Sequence, residues 1–345
     1  MTPLRLIIVG LGARAQMWLP ILAGDPCVKI VALCDPDPSA QTRAGEKFPD
    51  VPIGKSFKDV FTTEAEAVLL CTPPSGREND IELACVNGLA ILAEKPLSDS
   101  VSEAAQFVAK ADAAGVPLIV GLNFRYLNVT QTLKNLLRKG TVGQAEFGRF
   151  TYERWRDGNL PHMNSYPMKM KQPMLWEQSI HHFDLMRFVY GLEPIKVRGH
   201  TFNPSWSMYA DDANVSAIID FQDNLTVNYQ GTWAGSFDRL DFDWRTDCTA
   251  GIVHQRSMFG DLILGHLSKP EMAEVSLKQD IPWVTDITAL ARMFVKLCRG
   301  TGPQECTGRD HLQSLYMVEA CILSSDRETA VEIEEIASIA ELGQK

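Results

Sequence analysis

Short apolar runs alternate with longer amphipathic segments over the first 120 residues of the chain. Five runs rich in β-branched residues predict strands at 6–9, 28–34, 67–70, 89–93 and 118–120. Short buried strands that alternate with helices are typical of a parallel, doubly wound sheet. We therefore predict an α/β domain with such a sheet over residues 1–122.

The pattern changes after residue 121, where longer strands follow one another. Four of them are predicted, at 146–156, 196–202, 214–221 and 226–233, and Gln222-Asp223-Asn224 forms a turn signal between the last two. Successive strands joined by tight turns indicate antiparallel pairing. We predict a second domain of α+β type over 123–345 with a large, mostly antiparallel open sheet, closed by helices at about 286–298 and 309–325.

Composition and charge narrow the class of protein. The 345 residues include 33 Lys+Arg and 43 Asp+Glu, so the formal net charge is −10. An acidic balance of this size disfavours nucleic acid and anionic membranes as partners. The eight cysteines contain no CxxC pair, which indicates reduced thiols rather than disulfides or zinc ligands. No apolar stretch approaches the roughly 20 residues of a membrane span, and no signal peptide precedes the first strand, so we expect a cytoplasmic protein.

The first predicted strand leads into a glycine-rich turn, GLGARA at 10–15. Gly10 permits a tight turn, Gly12 lets the backbone approach a pyrophosphate, and the small Ala15 allows close packing of helix on strand. Free N–H groups and the helix dipole would favour the pyrophosphate at the start of this helix. The expected cofactor-binding residues of this Rossmann-type turn are Gly10, Gly12, Ala13, Arg14 and Ala15.

An acidic residue ends the second predicted strand, 20 residues beyond Ala15. Asp35 can accept hydrogen bonds from the adenosine ribose hydroxyls and would repel a 2′-phosphate, so NAD is favoured over NADP. A plain glycine turn followed by a solvated Asp35 is the alternative.

Further motifs carry a resemblance to a known family. They are Thr72-Pro73, Glu94-Lys95-Pro96, Asn123-Phe124-Arg125-Tyr126, the segment EQSIHHFD at 177–184, Asp211-Asp212-Ala213 and Gly308-Arg309-Asp310. Together with the glycine turn, they resemble the Gfo/Idh/MocA oxidoreductase family, the group of glucose-fructose oxidoreductase and inositol dehydrogenase. The resemblance covers essentially the whole chain. It adds Thr72, Pro73, Glu94 and Lys95 to the expected cofactor-binding residues.

The resemblance also implies the catalytic residues. Lys95 follows a predicted strand and precedes a proline, at the sheet edge where doubly wound folds bind ligands. A lysine there can donate to the nicotinamide ribose and to a substrate hydroxyl, whose pKa its charge lowers. The family assigns the acid or base role to the histidine matching His181 and a supporting role to the carboxylate matching Glu177, where many relatives have Asp. A surface salt bridge between Lys95 and Glu94 is the alternative for the lysine.

Helical spacing places three of these side chains together. Glu177 and His181 are four residues apart and Asp184 is three further on, so all three share one helix face, with His182 about 100° away from His181. If this face meets the substrate, His181 can take a proton while Glu177 or Asp184 orients it. A histidine satisfied in the core is the alternative. The same face could supply three metal ligands, but hydride transfer from an alcohol needs only a base, so we expect no metal.

One position departs from the family pattern. Relatives commonly have His five residues after the threonine of the Thr-Pro motif, whereas this chain has Arg77. A permanent cation near the cofactor could bind an anionic group or could pair with Glu78.

Aromatic and basic residues suggest how a substrate is bound. Family members mostly act on sugars, inositols and related polyols, so Trp155, Trp176 and Trp233 are candidates for stacking on a sugar, although each could equally be core. The segment 151–172 is basic within an acidic chain, which suggests a substrate with an anionic group. A Pro- and Met-rich stretch at 157–175 is either a lid or a plain surface excursion. The expected substrate-binding residues are Arg125, Arg154, Trp155, Arg156, Lys171, Trp176, His182 and Asp184.

These observations predict an NAD-dependent dehydrogenase in which Lys95 and His181 align and deprotonate a secondary alcohol of a sugar or polyol, as the hydride passes to NAD. Two alternatives stay open: a redox-neutral enzyme that cleaves glycosides by transient sugar oxidation, and a ligand-sensing regulator on the same scaffold. We expect a homodimer or homotetramer, because a large open sheet face seldom stays bare.

Overall fold

Two compact units make up the protein in the computed structural model, which describes residues 2–160 and 163–342. The first unit contains residues 2–123, the segment Trp283–Leu312 and residues 341–342. The second unit contains Phe124–Pro282 and Gln313–Ala340.

The first unit is built on a six-stranded parallel sheet. Its strands are β1 (Leu4–Val9), β2 (Val28–Cys34), β3 (Ile53–Gly54), β4 (Ala67–Leu70), β5 (Ala90–Ala93) and β6 (Leu118–Val120), in the spatial order β3-β2-β1-β4-β5-β6. The intervening helices are α1 (Ala15–Gly24), α2 (Pro38–Lys47), α3 (Phe57–Val60), α4 (Glu78–Val86) and α5 (Val101–Ala114). The order reverses between β1 and β4, which is the point where doubly wound sheets bind ligands at their carboxyl edge.

The segment 283–312 completes the first unit from a distant part of the sequence. It contains α8 (Thr285–Cys298) and the start of α9 (Gly308–Arg327). Val120 donates a backbone hydrogen bond of 2.8 Å to the Cys306 carbonyl, and Ile119 forms a bridge with Thr307. The open edge of β6 is thereby partly covered, which removes a site for unwanted strand pairing. The pattern along the chain did not predict this return.

The second unit contains a nine-stranded mixed sheet. Its strands are β7 (Ala145–Glu153), β8 (Pro194–Phe202), β9 (Asn214–Phe221), β10 (Thr226–Thr232), β11 (Asp241–Cys248), β12 (Gly251–Ser257), β13 (Gly260–His266), β14 (Met272–Glu274) and β15 (Val331–Glu332). The order is β14-β13-β12-β11-β7-β10-β9-β8-β15, and every pair is antiparallel except β7 with β10. Its helices are α6 (Asn128–Arg138), α7 (Ile180–Tyr190), the later part of α9 and α10 (Ile333–Leu342).

Aromatic side chains join α7 to one face of this sheet. Phe183 of α7 contacts the ring of Tyr229 on β10 at 5.0 Å between centroids, and Tyr190 contacts Trp244 on β11 at 5.8 Å. Apolar burial of this kind contributes about 25 cal/mol per Å² of surface removed from water. The inward face of the sheet is therefore the core of the second unit, and alternate residues point to the opposite, outer face.

The predicted fold class is confirmed: a doubly wound parallel sheet is joined to an α+β unit with a large, mostly antiparallel sheet. Strands β11 to β14, which the sequence did not predict, extend that sheet beyond β7. Across the described residues, 2–160 and 163–342, no helix is long and apolar enough to cross a membrane.

Candidate active site

The glycine-rich turn follows β1 at the carboxyl edge of the parallel sheet. Gly10 has φ +87°, and a Cβ there would lie 2.9 Å from the backbone carbon of Cys71 at the end of β4. Only glycine fits this conformation and this close approach. A Cβ at Gly12 would instead meet open space, with no atom within 4 Å. The structure thus has a turn closed on the sheet side at Gly10 and open at Gly12, where a ligand can approach the backbone.

Asp35 is fixed beside this turn, directly after β2. Its Oδ2 accepts a hydrogen bond of 2.7 Å from the Leu11 N–H, and its Oδ1 accepts one of 2.8 Å from the Asp37 N–H. A carboxylate has about four acceptor positions, so two backbone donors leave capacity for ribose hydroxyls. Helix α1 begins at Ala15 without a side-chain cap. The open backbone at Gly12, the oriented Asp35 and the uncapped helix together fit a dinucleotide.

A buried polar network connects the start of α1 to the end of β5. Glu94 is 4% exposed, and its Oε1 accepts hydrogen bonds from Trp18 Nε1 at 2.6 Å and from Arg14 Nε at 2.7 Å. Arg14 also donates to Asn123 Oδ1 at 3.0 Å, and Asn123 donates to Asp286 Oδ2. Glu94 and Arg14 were both expected at the cofactor, and the structure shows that they hold each other and support the glycine turn.

Asp286 ends this network deep inside the first unit. The side chain is fully buried, and its Oδ1 has no hydrogen-bond partner among residues 2–160 and 163–342. Burial raises the pKa of Asp286, and its hydrogen bond from Asn123 opposes that shift.

Lys95 lies at the carboxyl end of β5, on the same sheet edge as the glycine turn. It is half-buried, and the Lys95–Pro96 peptide bond is cis. Thr72 and Pro73, the other expected cofactor residues of this edge, follow β4 in a turn and are half-buried and exposed respectively. The structure therefore brings the predicted cofactor-binding residues of the first unit to one edge of one sheet.

Arg77 is buried behind these two strand ends. It is 1% exposed and donates to backbone carbonyls of the Thr72 turn and of the segment around Lys95. Neither role that the sequence suggested, an anion ligand or a partner of Glu78, matches these contacts.

In the second unit, the motif EQSIHHFD begins in a π-helix, Leu175–Ser179, which continues into α7. The sequence predicted an uninterrupted α-helix here, because a single wide turn leaves no mark on the hydrophobic period. Such wide turns occur frequently at functional sites. Glu177 lies within the π-helix, is 9% exposed, and its Oε1 accepts a hydrogen bond of 2.6 Å from Tyr166 Oη.

His181 and Asp184 have different neighbours on α7. The imidazole of His181 stacks on Phe124, with 4.3 Å between ring centroids and 29° between planes. The carboxylate of Asp184 forms a two-pronged pair with Arg125 at 2.8 and 2.5 Å, and both side chains are buried. Arg125 and Asp184 were both expected to bind substrate, whereas in the structure they bind each other. A buried pair of this geometry fixes α7 against the segment that contains Phe124.

His182 is held in the aromatic core of the second unit. It is 1% exposed, its Nδ1 lies 2.8 Å from Tyr229 Oη, and its Nε2 lies 3.1 Å from Gln178 Nε2. Because Tyr229 donates to Ser179, the network assigns the imidazole proton to Nδ1. Burial lowers the pKa of His182 to about 3, so the ring is neutral. Direct substrate contact, which the sequence suggested, does not fit this position.

The expected substrate-binding residues of the segment 151–176 lie in different surroundings. Arg156 is 7% exposed; it contacts Tyr209 and the Asn164 carbonyl, and its guanidinium lies over the Trp233 ring at 4.5 Å. Trp176 is buried, Arg154 and Trp155 are half-buried, and Lys171 is exposed. Arg156 and Trp176 therefore belong to the packing of this unit. Pro161 and His162 of the 157–175 stretch lie outside the described residues.

Three residues that hold candidate site residues within their own units had no clear signal in the sequence. Tyr166 lies in the Pro- and Met-rich stretch, Trp18 is one of several apolar residues of α1, and Asp286 lies in a segment predicted to belong to the second domain. Asn123 gave the nearest signal, since a polar residue that closely follows a buried strand needs a partner.

Comparisons with known proteins agree with this arrangement. Residues 4–122 match the family profile described as oxidoreductase family, NAD-binding Rossmann fold, and residues 130–254 match that of the GFO/IDH/MocA C-terminal domain. A D-apiose dehydrogenase of Paraburkholderia graminis is 25% identical over 96% of this chain and 90% of its own. The NAD(+)-dependent scyllo-inositol 2-dehydrogenase of Bacillus subtilis is 27% identical over 63% of this chain and 64% of its own.

Among solved structures, an oxidoreductase from Agrobacterium radiobacter in complex with NAD+, L-tartaric acid and magnesium has the same fold. It is 20% identical, with a TM-score of 0.87 over 97% of this chain and 100% of its own. The fold and the glycine turn define an NAD-binding oxidoreductase. The chain belongs to the Gfo/Idh/MocA family, which confirms the resemblance, the enzyme class and the NAD cofactor that the sequence predicted.

Proposed function

We propose that this protein is an NAD-dependent dehydrogenase that oxidises a secondary alcohol of a sugar, an inositol or a related polyol. One observation carries the proposal: Gly12, Asp35, Thr72 and Lys95 lie at the carboxyl edge of a single parallel sheet. A dinucleotide site and a cationic hydroxyl-binding group are thereby supplied by the same edge. The names of the D-apiose and scyllo-inositol dehydrogenases among its relatives support the class of substrate.

Different residues of the chain bind the cofactor and act on the substrate. Gly12 and the start of α1 hold the pyrophosphate, and Asp35 holds the adenosine ribose. NAD, when bound, supplies the hydride acceptor. The Lys95 ammonium donates to the substrate hydroxyl and favours its ionised form, and His181 accepts the hydroxyl proton. Stacking on Phe124 restricts the imidazole of His181 to one plane, which reduces the entropy lost when a substrate is oriented.

Glu177 orients the substrate from the π-helix. Its carboxylate is nearly buried, and the hydrogen bond from Tyr166 fixes one of its oxygens. A carboxylate can accept from several donors at once, so the bond from Tyr166 is compatible with a further hydrogen bond from a sugar hydroxyl. Through Tyr166, the 3₁₀-helical turn Tyr166–Lys169 is tied to Glu177, which favours a lid over a plain excursion for this part of the 157–175 stretch.

We also propose that the substrate carries an anionic group, bound by Arg154 and Lys171. Arg156 is not among these residues, because its guanidinium contacts Tyr209 and the Asn164 carbonyl within the second unit. Replacing Arg154 and Lys171 separately by Ala should raise the KM for the true substrate at least fivefold. Unchanged KM values in both variants would leave a neutral polyol as the substrate.

The dehydrogenase proposal is tested by two measurements on the purified protein. The first is mass spectrometry of any released nucleotide, followed by calorimetric titration with NAD and with NADP. We expect reversible binding of NAD at least tenfold tighter than that of NADP, and a loss of this preference in Asp35→Ser. The second is a screen of polyols, aldoses and sugar acids for NADH formation.

A large but measurable fall in kcat in Lys95→Met and in His181→Ala on the best substrate of the screen would support the proposal. Tightly retained NAD that survives purification, together with products of glycoside cleavage, would instead identify the redox-neutral enzyme. Ligand binding without any turnover would identify a regulator.

We further propose that the first unit binds NAD and that the second recognises the substrate and joins subunits. The outer face of the nine-stranded sheet carries a row that crosses five strands, composed of Arg198, Ile218, Asn228, Arg149 and Arg245. A concavity of about 770 Å³ lies on this face. Asp243 and Asp247 lie beside the arginines, so both signs of charge are present, as a self-complementary contact between two copies requires.

A further inference from the structure

Arg77 links two strand ends of the first unit through its guanidinium group. Its Nη1 lies 2.5 Å from the Glu94 carbonyl oxygen, 2.7 Å from that of Pro96 and 3.2 Å from that of Leu97. Its Nε donates to Thr72 Oγ1 at 3.3 Å, and its Nη2 donates to the Thr72 carbonyl. The acceptors therefore come from the turn after β4 and from the segment after β5, on both sides of Lys95.

Only arginine has the donors for this arrangement. Its planar group presents five N–H donors in fixed directions and stays charged at every relevant pH. Hydrogen bonds from a charged donor are stronger than those between neutral groups, and a buried carbonyl that loses its donor is left desolvated without a partner. With 1% of its surface exposed, Arg77 has little access to solvent or ligand. Its N–H donors are therefore used inside the protein, mainly on backbone carbonyls.

We propose that Arg77 is a positioning residue that sets the direction of the Lys95 side chain relative to the Thr72 turn. The carbonyl groups of Glu94 and Pro96, the residues on either side of Lys95, are held by the same guanidinium, so the backbone from which the ammonium projects has little freedom. The proposal deepens the proposed function and rests on Lys95 acting on the substrate. It also accounts for the cation that replaces the histidine common in relatives.

The first test compares Arg77→Lys with Arg299→Lys. Lysine keeps the charge but cannot reach both strand ends with fixed donors. Arg299 is a matched control, because it joins the Glu66 carboxylate and the Thr2 carbonyl at the opposite, amino-terminal edge of the same sheet. We expect Arg77→Lys to lower kcat at least tenfold and to change the Kd for NAD by less than threefold. Arg299→Lys should leave both values unchanged.

A double-mutant cycle tests whether the effect passes through Lys95. If it does, Arg77→Lys should cost at least tenfold in the native background and less than twofold in the Lys95→Met background. Independent, multiplicative losses would overturn the proposal. Methylguanidinium added to Arg77→Ala should restore part of kcat, whereas an ammonium salt should not. Because folded protein is required for rescue, this result separates positioning from loss of the fold.

The chemical reactivity of Lys95, measured without substrate, tests the positioning role independently of the proposed function. The rate at which acetic anhydride modifies each lysine can be measured by mass spectrometry on the protein without substrate. We expect Arg77→Lys to change the rate at Lys95 at least threefold and to leave exposed Lys58 unchanged. Unchanged Lys95 reactivity would overturn the positioning role. Changed reactivity in a protein that oxidises no polyol would sustain that role and contradict the dehydrogenase instead.

Discussion

At the scale of single residues, His181 is the proposed proton acceptor and lies on α7 against Phe124. Replacing it by Ala should lower kcat by about 10²- to 10⁴-fold, the usual contribution of a general base. The Kd for NAD should stay within threefold, and added imidazole should restore part of the rate. The control is His266→Ala on β13, which should leave kcat unchanged. Full activity of His181→Ala would exclude His181 as the base.

His182 gives a prediction about stability rather than catalysis. Its folded pKa of about 3 lies below the usual value of 6.5, because burial disfavours the charged ring. Below pH 6.5 the unfolded chain therefore takes up a proton that the folded protein does not. The free energy of unfolding should fall by about 1.4 kcal/mol per pH unit from pH 6.5 towards pH 3 through this residue.

Urea unfolding of the native protein and of His182→Gln at pH 7.5 and 5.0 measures this contribution. The loss of stability between the two pH values should be about 2 kcal/mol smaller in the variant. Equal losses in both proteins would show that His182 is not the group responsible.

The neighbouring histidines also show what the sequence could predict about the site. Helical spacing separated His181 from His182 by about 100°, and the structure places them in different surroundings. Spacing did not show that Asp184 is paired with Arg125, because the two lie 59 residues apart. Contacts between distant segments leave no periodic signal, and for the same reason the carbonyl partners of Arg77 were not predicted.

At the scale of elements, β1, the glycine turn and α1 form a strand-turn-helix motif. We expect different roles for its two glycines: Gly10 is required by the fold, and Gly12 is required for NAD binding. Gly10→Ala should destabilise the protein by more than about 2 kcal/mol, since φ +87° and the nearby Cys71 backbone leave no room for a Cβ. Gly12→Ala should leave the unfolding midpoint nearly unchanged and weaken NAD binding at least tenfold.

Thermal unfolding and NAD titration of both variants check this difference. A Gly12→Ala protein that binds NAD normally would argue against a pyrophosphate at this turn. A Gly10→Ala protein of native stability would contradict the close approach to Cys71.

The sequence predicted the bounds of some strands and missed others. Strands 28–34, 67–70, 118–120 and 214–221 have the predicted bounds, because apolar runs bounded by turn residues are strong local signals. β11 was missed although Phe242, Trp244, Thr246 and Cys248 alternate as buried residues along it. The parallel pairing of β7 with β10 was also missed, since it joins residues about 80 positions apart rather than neighbours across a turn.

At the scale of the whole molecule, the outer sheet face predicts an oligomer. Ile218 is 47% exposed and lies between Arg198 and Asn228 in the arginine-containing row. A charge there would be buried without a partner in a contact between copies, so Ile218→Glu should shift the protein from an oligomer towards its 38.4 kDa monomer. Light scattering after size-exclusion chromatography measures the mass.

Val86→Glu is the control for this substitution. Val86 is 78% exposed on α4 of the first unit and lies outside the row, so its replacement should leave the oligomer intact. A native protein that is already monomeric in dilute solution would contradict the proposed contact.

The return of residues 283–312 to the first unit has a consequence for synthesis on the ribosome. Strands β1 to β6 emerge first. Two later parts of the chain, the residues that cover the β6 edge and the Asp286 that accepts from Asn123, follow more than 150 residues later. The nascent NAD-binding unit must wait with an open strand edge while strands β7 to β14 of the second sheet are translated. A fragment that stops at residue 123 should therefore self-associate, and an exchange of this unit between relatives should succeed only when both of its sequence pieces are transferred together.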